Sequence, residues 1–219
     1  LVVPVPPEMA LSYGIAPQQC AVCEPSTDWN PWMQSFAPLD ESLAENGTLM
    51  LYTSGTTGNP KGVRRDRQSS AEAAAYLDSI IEAFALRSGA RTVTTGPLYH
   101  AGPLGYARAS LKVDAYIRLM PRFDAQALLE IIGEERITHS HLVPIMFIRL
   151  LRLDAQVRAG YDTSTLECII HGAAPCPDEI KRRMIDWLGP VIREYYGSTE
   201  ASIGCIVDSE DWLLHPGTV

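Results

Sequence analysis

The sequence predicts an α/β protein in which parallel sheets are flanked by helices. From about residue 49 to residue 200, short apolar runs with strand character alternate with helical apolar stripes. This alternation is typical of parallel strands joined by helices. A second observation is a cluster of glycines and hydroxyl residues that directly follows the first apolar run. Because parallel sheets bind ligands at the carboxyl ends of their strands, the pattern predicts one site at one sheet edge.

The predicted elements follow one another along the chain after the glycine cluster. The first helix is marked by Leu77, Ile80 and Phe84, which recur at helical spacing. Later helices are opened by Asp124, a favourable N-cap, and by Pro144, which suits the first helical turn. Two more helices are predicted through residues 105–111 and around residues 180–188. The predicted strands cover residues 62–65, 91–95, 115–120, 137–143, 166–171 and 191–196.

Composition limits the classes of function. The 219 residues can bury the core of one domain or of two small ones, and 46% of them are hydrophobic. A net charge of −8, with lysine only at positions 61, 112 and 181, argues against a nucleic-acid or anionic-membrane surface. No apolar run approaches the roughly 18 residues of a spanning helix, so no transmembrane segment is predicted.

The first part of the chain has a different composition. Residues 1–47 are rich in proline, and we expect an irregular lead-in that belongs to the same domain. The first residues lack the basic region and apolar helix of a signal peptide and do not include an initiator methionine, which suggests a piece of a longer polypeptide. Cys20 and Cys23 form a lone C-x-x-C pair without the partners of a zinc site. Reduced cysteines and a cytoplasmic location are therefore expected.

The most informative stretch is residues 49–62, where an apolar run changes abruptly into glycines and hydroxyl residues. Glycines let backbone N–H groups approach a ligand, and the hydroxyls and a lysine add donors that suit a polyphosphate. The alternative is a surface turn rich in Gly, Ser and Thr. The Walker A pattern fails, because Pro60 and Gly62 stand where it needs glycine and Ser/Thr. The candidate phosphate ligands are Thr53, Ser54, Gly55, Thr56, Thr57, Gly58 and Lys61.

Four stretches resemble the motifs of one family and occur in that family's order. Residues 52–62, Tyr-Thr-Ser-Gly-Thr-Thr-Gly-Asn-Pro-Lys-Gly, are similar nearly letter for letter to the phosphate loop of the adenylate-forming superfamily. That superfamily includes acyl-CoA synthetases, aryl-CoA ligases, luciferases and peptide-synthetase adenylation domains. Residues 195–200, Tyr-Tyr-Gly-Ser-Thr-Glu, resemble its Y-G-x-T-E element. Residues 172–175 and 97–100 are weaker matches to the segments beside the adenine and the acyl pocket.

The resemblance implies a fold and an activity. The fold is that of the large N-terminal domain of these enzymes, with residues 48–219 as the AMP-binding core and a C-terminal lysine-bearing domain absent. The activity is ATP-dependent conversion of a carboxylic acid into an acyl-adenylate, followed by transfer to coenzyme A, with Mg²⁺ as the metal. The full-length protein would be an acid–thiol ligase, and this chain alone is expected to be inactive. Fatty, aryl and steroid-type acids all fit.

The resemblance also implies roles for individual residues. Glu200 and Thr53 would supply oxygen ligands to Mg²⁺, and Thr199 would contact the α-phosphate. Lys61 would hold the terminal phosphates, and His100 would lie beside the substrate carboxylate. Tyr196 would stack on the adenine. Besides the phosphate-loop residues, the nucleotide would be held by Gly172, Ala173, Ala174, Tyr196, Gly197 and Thr199.

A histidine pair stands outside these motifs. His139 and His141 lie two residues apart on a predicted strand and therefore point to one face. No third metal ligand is evident, so we interpret them as sheet residues near the acyl pocket.

Two other functions compete with the ligase. One is a non-catalytic module that binds a nucleotide or an acyl group, and the other is an unrelated phosphate-loop NTPase. Pyrophosphate release on addition of a carboxylate favours the ligase. Binding without turnover favours the module, and orthophosphate release without a carboxylate favours the NTPase.

Overall fold

The computed structural model describes residues 50–53, 61–64 and 68–219. The first two ranges form an antiparallel pair of strands, β1 (Met50–Thr53) and β2 (Lys61–Arg64). The strand predicted over residues 62–65 is therefore present, shifted by one residue. Residues 1–49, which include the proline-rich lead-in, and residues 54–60 of the predicted phosphate loop lie outside the described residues.

A six-stranded sheet forms the centre of the described region. Its strands are β3 (Arg91–Thr94), β4 (Tyr116–Leu119), β5 (His139–Leu142), β6 (Cys168–His171), β7 (Ile192–Ser198) and β8 (Ser202–Val207). Their order across the sheet is β4-β3-β5-β6-β7-β8, and all neighbours are parallel except β7 and β8. A largely parallel sheet flanked by helices confirms the predicted fold class.

Seven helices accompany the sheet in the described region, and local sequence signals explain several of their ends. Ser69 and Glu72 form a reciprocal capping box at the first helix, and Asp124 accepts a hydrogen bond from the Ala127 amide over 2.9 Å, as its predicted N-cap role requires. Pro144 begins its helix, as predicted. The helices are α1 (Ser70–Ala83), α2 (Ala101–Lys112), α3 (Ala125–Glu134), α4 (Pro144–Leu151), α5 (Ala155–Ala159), α6 (Asp178–Leu188) and α7 (Ser209–Leu214).

Hydrophobic side chains cover both faces of the sheet. One cluster joins the sheet to α3, α4, α6 and α7, and includes Phe147, Ile169 and Trp212. The other joins the sheet to α1 and α2, and includes Phe84 and Ile170. Since Ile169 and Ile170 are consecutive residues of β6, their side chains point to opposite faces, and every residue of this strand is buried.

The helices of the described region are short. None of those within residues 68–219 combines the length and the apolarity that a membrane crossing requires.

Candidate active site

Two adjoining cavities lie at the edge of the sheet where the parallel strands end. The larger cavity, of about 550 Å³, is lined by residues that follow β3, β5 and β6, among them Pro97, Val143 and Ala173. The smaller cavity, of about 360 Å³, is lined by residues 173–176, by part of β7 and by residues 217–219. The two cavities share Ala173, Tyr195 and Gly197.

The cavities bring together several residues that the sequence singled out. His100 and Thr199 line the larger cavity, whereas Ala174 and Tyr196 line the smaller one. Ala173 and Gly197 lie between the two. Segments that are far apart along the chain therefore converge at the carboxyl ends of the strands, which is where a parallel sheet accommodates ligands.

The predicted phosphate-loop residues are only partly described. Thr53 ends β1 and lies opposite Lys61 of β2, and the Thr53 hydroxyl donates to the Lys61 carbonyl oxygen over 3.4 Å. The Lys61 side chain is exposed. The remaining candidates, Ser54, Gly55, Thr56, Thr57 and Gly58, lie outside the described residues, so their role as phosphate ligands stays a prediction.

The turn after β6 packs tightly against β7. A Cβ atom on Gly172 would lie 2.6 Å from the backbone oxygen of Tyr195 and 2.7 Å from its ring. The next residue, Ala173, has a φ of 67°, a left-handed conformation that is uncommon outside glycine. The requirement for glycine at position 172 therefore comes from the close approach of Tyr195, which the two cavities share.

Replacing Gly172 with alanine should lower the free energy of unfolding by about 1–3 kcal/mol, because the added methyl group meets backbone as well as a packed ring. Urea denaturation measures the loss. Gly105→Ala in α2 is the matched control, since a Cβ there meets no atom within 4 Å and alanine favours a helix. Equal stabilities for the two variants would contradict the packing argument.

The Y-G-x-T-E segment lies in and after β7. The sequence predicted that this strand ends at Tyr196, but β7 continues to Ser198 and pairs with β8 in an antiparallel hairpin. The strand is longer because the chain turns back at once, with the Ala201 amide donating to the Ser198 hydroxyl over 3.0 Å. Tyr196 is 67% exposed, and Thr199 lies in the turn between the two strands. Glu200 carries an exposed carboxylate that has no ion-pair partner among the described residues.

His100 occupies the start of α2. It is the N-cap residue, its side chain makes no capping hydrogen bond, and its ring centroid lies 4.5 Å from that of Tyr99. His100 is exposed and lines the larger cavity, and its place beside the substrate carboxylate stays a prediction.

A histidine and a tyrosine to which the sequence motifs assign no catalytic or binding role form one wall of the larger cavity. His141 on β5 is buried, and its Nε2 atom lies 3.1 Å from the Tyr195 hydroxyl. Burial lowers the pKa of His141 to about 4 and raises the pKa of Tyr195 to about 12, so both are neutral at pH 7. Strand alternation could have found Tyr195, because it must point away from the face that carries Tyr196.

A second group that sequence reasoning missed lies under the smaller cavity. Lys181 of α6 is completely buried; its Nζ atom donates to Glu194 Oε2 over 2.7 Å and lies 4.7 Å from the Trp212 ring centroid. Burial lowers the pKa of Lys181, and the neighbouring Glu194 carboxylate opposes that shift. Glu194 in turn lines the smaller cavity.

His171 completes this buried group. Its Nε2 atom lies 3.7 Å from Glu194 Oε2, beyond hydrogen-bond distance, and neither ring nitrogen has a hydrogen-bond partner within the described region. Burial, together with the charge of Lys181, lowers the pKa of His171 to about 3. A neutral imidazole therefore lies beside the Lys181–Glu194 ion pair at neutral pH.

Comparison with known proteins identifies the family. The model of the AMP-binding enzyme family matches residues 12–219, and the chain belongs to this family. This confirms the resemblance that the motifs indicated.

The chain spans less than a third of the length of the first curated relatives that it matches. It is 31% identical over 173 residues to the probable CoA ligase CCL5 of Humulus lupulus, and the aligned region covers 75% of this chain and 31% of that protein. Among solved structures, the inhibitor-bound N-terminal domain of FACL13 from Mycobacterium tuberculosis has a TM-score of 0.72 at 26% identity, covering 86% of this chain and 47% of that one. The o-succinylbenzoate CoA synthetase MenE of Bacillus subtilis, in complex with its acyl-adenylate intermediate OSB-AMP, has a TM-score of 0.65 at 25% identity, with coverages of 77% and 33%.

Proposed function

We propose that the protein containing this chain activates a carboxylic acid with ATP as an acyl-adenylate and transfers the acyl group to coenzyme A. The observation that carries the proposal is the pair of adjoining cavities that share Ala173, Tyr195 and Gly197. An acyl-adenylate has an acyl group at one end and a nucleoside at the other, so it needs two connected compartments. The relative named as a probable CoA ligase and the structure that holds an acyl-adenylate support the same reaction.

The two compartments take different parts of the intermediate. The smaller cavity, beside the exposed Tyr196 ring and Ala174, receives the adenine, because a flat base stacks on an aromatic face and small residues leave room for it. The larger cavity, lined mainly by apolar side chains, receives the acyl group. His100 and Thr199 line the larger cavity, where His100 would lie beside the carboxylate and Thr199 would contact the α-phosphate.

The reaction has two steps. A carboxylate oxygen bonds to the α-phosphorus, the bond from that phosphorus to the bridging oxygen breaks, and pyrophosphate leaves. The sulfur of coenzyme A then bonds to the acyl carbon, the bond to the phosphate oxygen breaks, AMP leaves, and the thiol proton passes to solvent. Lys61 and the hydroxyls of residues 53–57 are proposed to neutralise the departing phosphates, since catalysis of phosphoryl chemistry relies on positioned donors and cations.

The oxygen atoms of Glu200 and Thr53 are ligands of the kind that Mg²⁺ prefers. Within the described part of the chain, no group of three or more His, Cys, Asp or Glu side chains could hold a metal ion by itself. Mg²⁺ needs no such cage, because it binds through one or two protein oxygens while keeping waters and substrate phosphates. The exposed Glu200 carboxylate and the Thr53 hydroxyl would hold it, and the ion would neutralise charge on the phosphates.

Further parts of the proposal concern the rest of the chain. Residues 48–219 would be the AMP-binding core, and residues 1–47 would be a lead-in to the same domain. A cytoplasmic location is the corresponding cellular proposal.

Exchange of labelled pyrophosphate into ATP by the full-length protein that contains this chain, in the presence of Mg²⁺ and a panel of carboxylic acids, tests the proposed function. Exchange that depends on an added acid is the expected result. Binding of ATP without exchange would favour a non-catalytic module, and acid-independent release of orthophosphate would favour an NTPase.

In that assay, Glu200→Gln should reduce exchange at least tenfold, because losing a charged oxygen ligand costs roughly 1.5–3 kcal/mol. Raising the Mg²⁺ concentration should restore part of the rate. Glu179→Gln is the matched control, since Glu179 is an exposed carboxylate on α6 that lines neither cavity and pairs only loosely with Arg183 over 3.9 Å. A Glu200→Gln protein with unchanged rate and unchanged Mg²⁺ dependence would contradict the metal role.

A further inference from the structure

The larger cavity carries no fixed charge on its described walls. Among the described side chains that line it, none belongs to Asp, Glu, Lys or Arg. Two histidines line the cavity. His141 is uncharged at neutral pH because burial lowers its pKa to about 4, and His100 is the residue proposed to lie beside the reacting carboxylate. A second carboxylate on the acyl group would therefore lose its hydration without gaining a cation on these walls, which is strongly unfavourable.

Three rings from three separate elements form the inner wall of the larger cavity. Phe84 follows α1, His141 lies on β5, and Tyr195 lies on β7. Their centroids are 5.9–6.4 Å apart and their planes are tilted against one another. The fully buried ring of Tyr106 lies behind them, 5.8 Å from Phe84. A ring placed against this wall finds the tilted and offset partners that aromatic groups prefer.

The polar atoms of this wall already satisfy each other. The Tyr195 hydroxyl and His141 Nε2 lie 3.1 Å apart, so an apolar ring can cover them without stranding an unpaired polar group. The tyrosine hydroxyl keeps one further hydrogen-bonding position, which allows a neutral polar substituent on the ring.

Helix α2 fixes the position of this histidine–tyrosine pair. A Cβ atom on Gly102 would lie 2.9 Å from the Tyr195 hydroxyl oxygen and 3.1 Å from His141 Nε2. Only a glycine leaves the two side chains in place, so any larger residue at position 102 would displace the wall.

From these walls we propose that the larger cavity selects monocarboxylic acids whose acyl group carries an uncharged aromatic ring. The inference rests on the proposed function, since it assumes that the acyl group occupies this cavity. It narrows the substrate from any carboxylic acid to aryl and arylalkyl acids, and it excludes acids with a second carboxylate on the ring.

Calorimetric binding of three unreactive acyl sulfamoyl adenosines to the purified protein tests the inference. The three share the adenosine part and differ only in the acyl group, which is 3-phenylpropanoyl, nonanoyl or 3-(4-carboxyphenyl)propanoyl. The phenylpropanoyl compound should bind about tenfold more tightly than the nonanoyl compound, which has the same number of carbons. It should bind on the order of a hundredfold more tightly than the carboxyphenyl compound.

The outcomes separate the inference from the proposed function. Equal affinities for the phenyl and nonanoyl compounds, or for the phenyl and carboxyphenyl compounds, would overturn the inference while leaving the proposed function standing. If neither AMP nor any of the three compounds binds, the proposed function fails and the inference fails with it.

A variant tests whether the wall formed by Phe84, His141 and Tyr195 causes the selectivity. Gly102→Ala should weaken binding of the phenylpropanoyl compound about tenfold while leaving the affinity for AMP within twofold, which also reports that the variant is folded. Gly133→Ala in α3, a helical glycine that lines neither cavity, should change neither affinity. A Gly102→Ala protein that binds AMP normally and keeps full affinity for the phenylpropanoyl compound would contradict the assignment. The three-compound comparison on the unaltered protein does not depend on this variant.

Discussion

Replacing Lys181 with methionine will lower the free energy of unfolding by about 3–5 kcal/mol, because it removes one partner of a buried ion pair. The ammonium group of Lys181 is fully buried and lies 2.7 Å from Glu194, whose side chain is only 12% exposed. Methionine fills a similar volume but leaves the Glu194 carboxylate beside the neutral ring of His171. Urea denaturation at pH 7 measures the loss.

Two further variants make this result specific. The double replacement Lys181→Met with Glu194→Leu should recover most of the lost stability, since removing both charges leaves no uncompensated ion. Arg182→Met removes a neighbouring cation that is exposed and stands 5.6 Å over the same Trp212 ring, and it should cost less than about 1 kcal/mol. A loss below about 1 kcal/mol for Lys181→Met would show that the pair contributes little.

The free energy of unfolding will also fall steeply as the pH drops from 6.5 towards 4. His141 and His171 have folded pKa values of about 4 and about 3, whereas an exposed histidine in the unfolded chain titrates near 6.5. Over this window the unfolded state binds more protons than the folded state, so stability rises with pH and is lost on acidification. Each histidine contributes a slope of roughly 1.4 kcal/mol per pH unit, and the two together about 2.7. The pKa of His139 is lowered by burial as well and acts in the same direction.

Unfolding free energies at pH 7.0, 6.0 and 5.0 give this slope directly. His171→Gln should reduce the slope by roughly a third to a half between pH 6.0 and 5.0, whatever its effect on the absolute stability. His215→Gln, which replaces an exposed histidine after α7, should leave the slope unchanged. An unaltered slope for the His171→Gln protein would mean that His171 takes up its proton equally well in the folded state.

Local signals explain why most of the sheet and its helices could be predicted from the sequence. The capped start of α3, the proline at α4 and the apolar run of β6 depend on neighbouring residues alone. Helices α5 and α7 and strand β8 were not predicted, and for β8 the reason is that its pairing is not local. Residues 202–207 have no regular alternation of buried and exposed side chains, and their pairing with β7 is set by a turn whose geometry the sequence does not display.

The residues of the candidate site also include some that the sequence identifies and others that it does not. Motif residues such as His100 and Tyr196 were recognisable because their segments resemble those of a family, and their roles remain predictions. Lys181 was not recognisable, since Lys-Arg-Arg at residues 181–183 is typical of a solvated helix face. Its burial depends on Glu194, which is 13 residues away on another element. The pairing of His141 with Tyr195, across 54 residues, is equally invisible to local pattern.

The alternation along β7 has a consequence for how this protein can vary. Glu194 and Tyr196 face the smaller cavity, whereas Tyr195 packs with the cluster under α1 and α2. Deleting one residue upstream in this strand would exchange the two faces, so that the smaller and the larger cavity would lose part of their walls together. The strand register shifts between Tyr196 and Gly197, and a Cβ atom on Gly197 would lie only 2.2 Å from the backbone oxygen of Ser202. This shift and the close approach at Gly197 oppose such a slip. Length changes are therefore expected to accumulate in the loops before β7 and after β8 rather than within this hairpin.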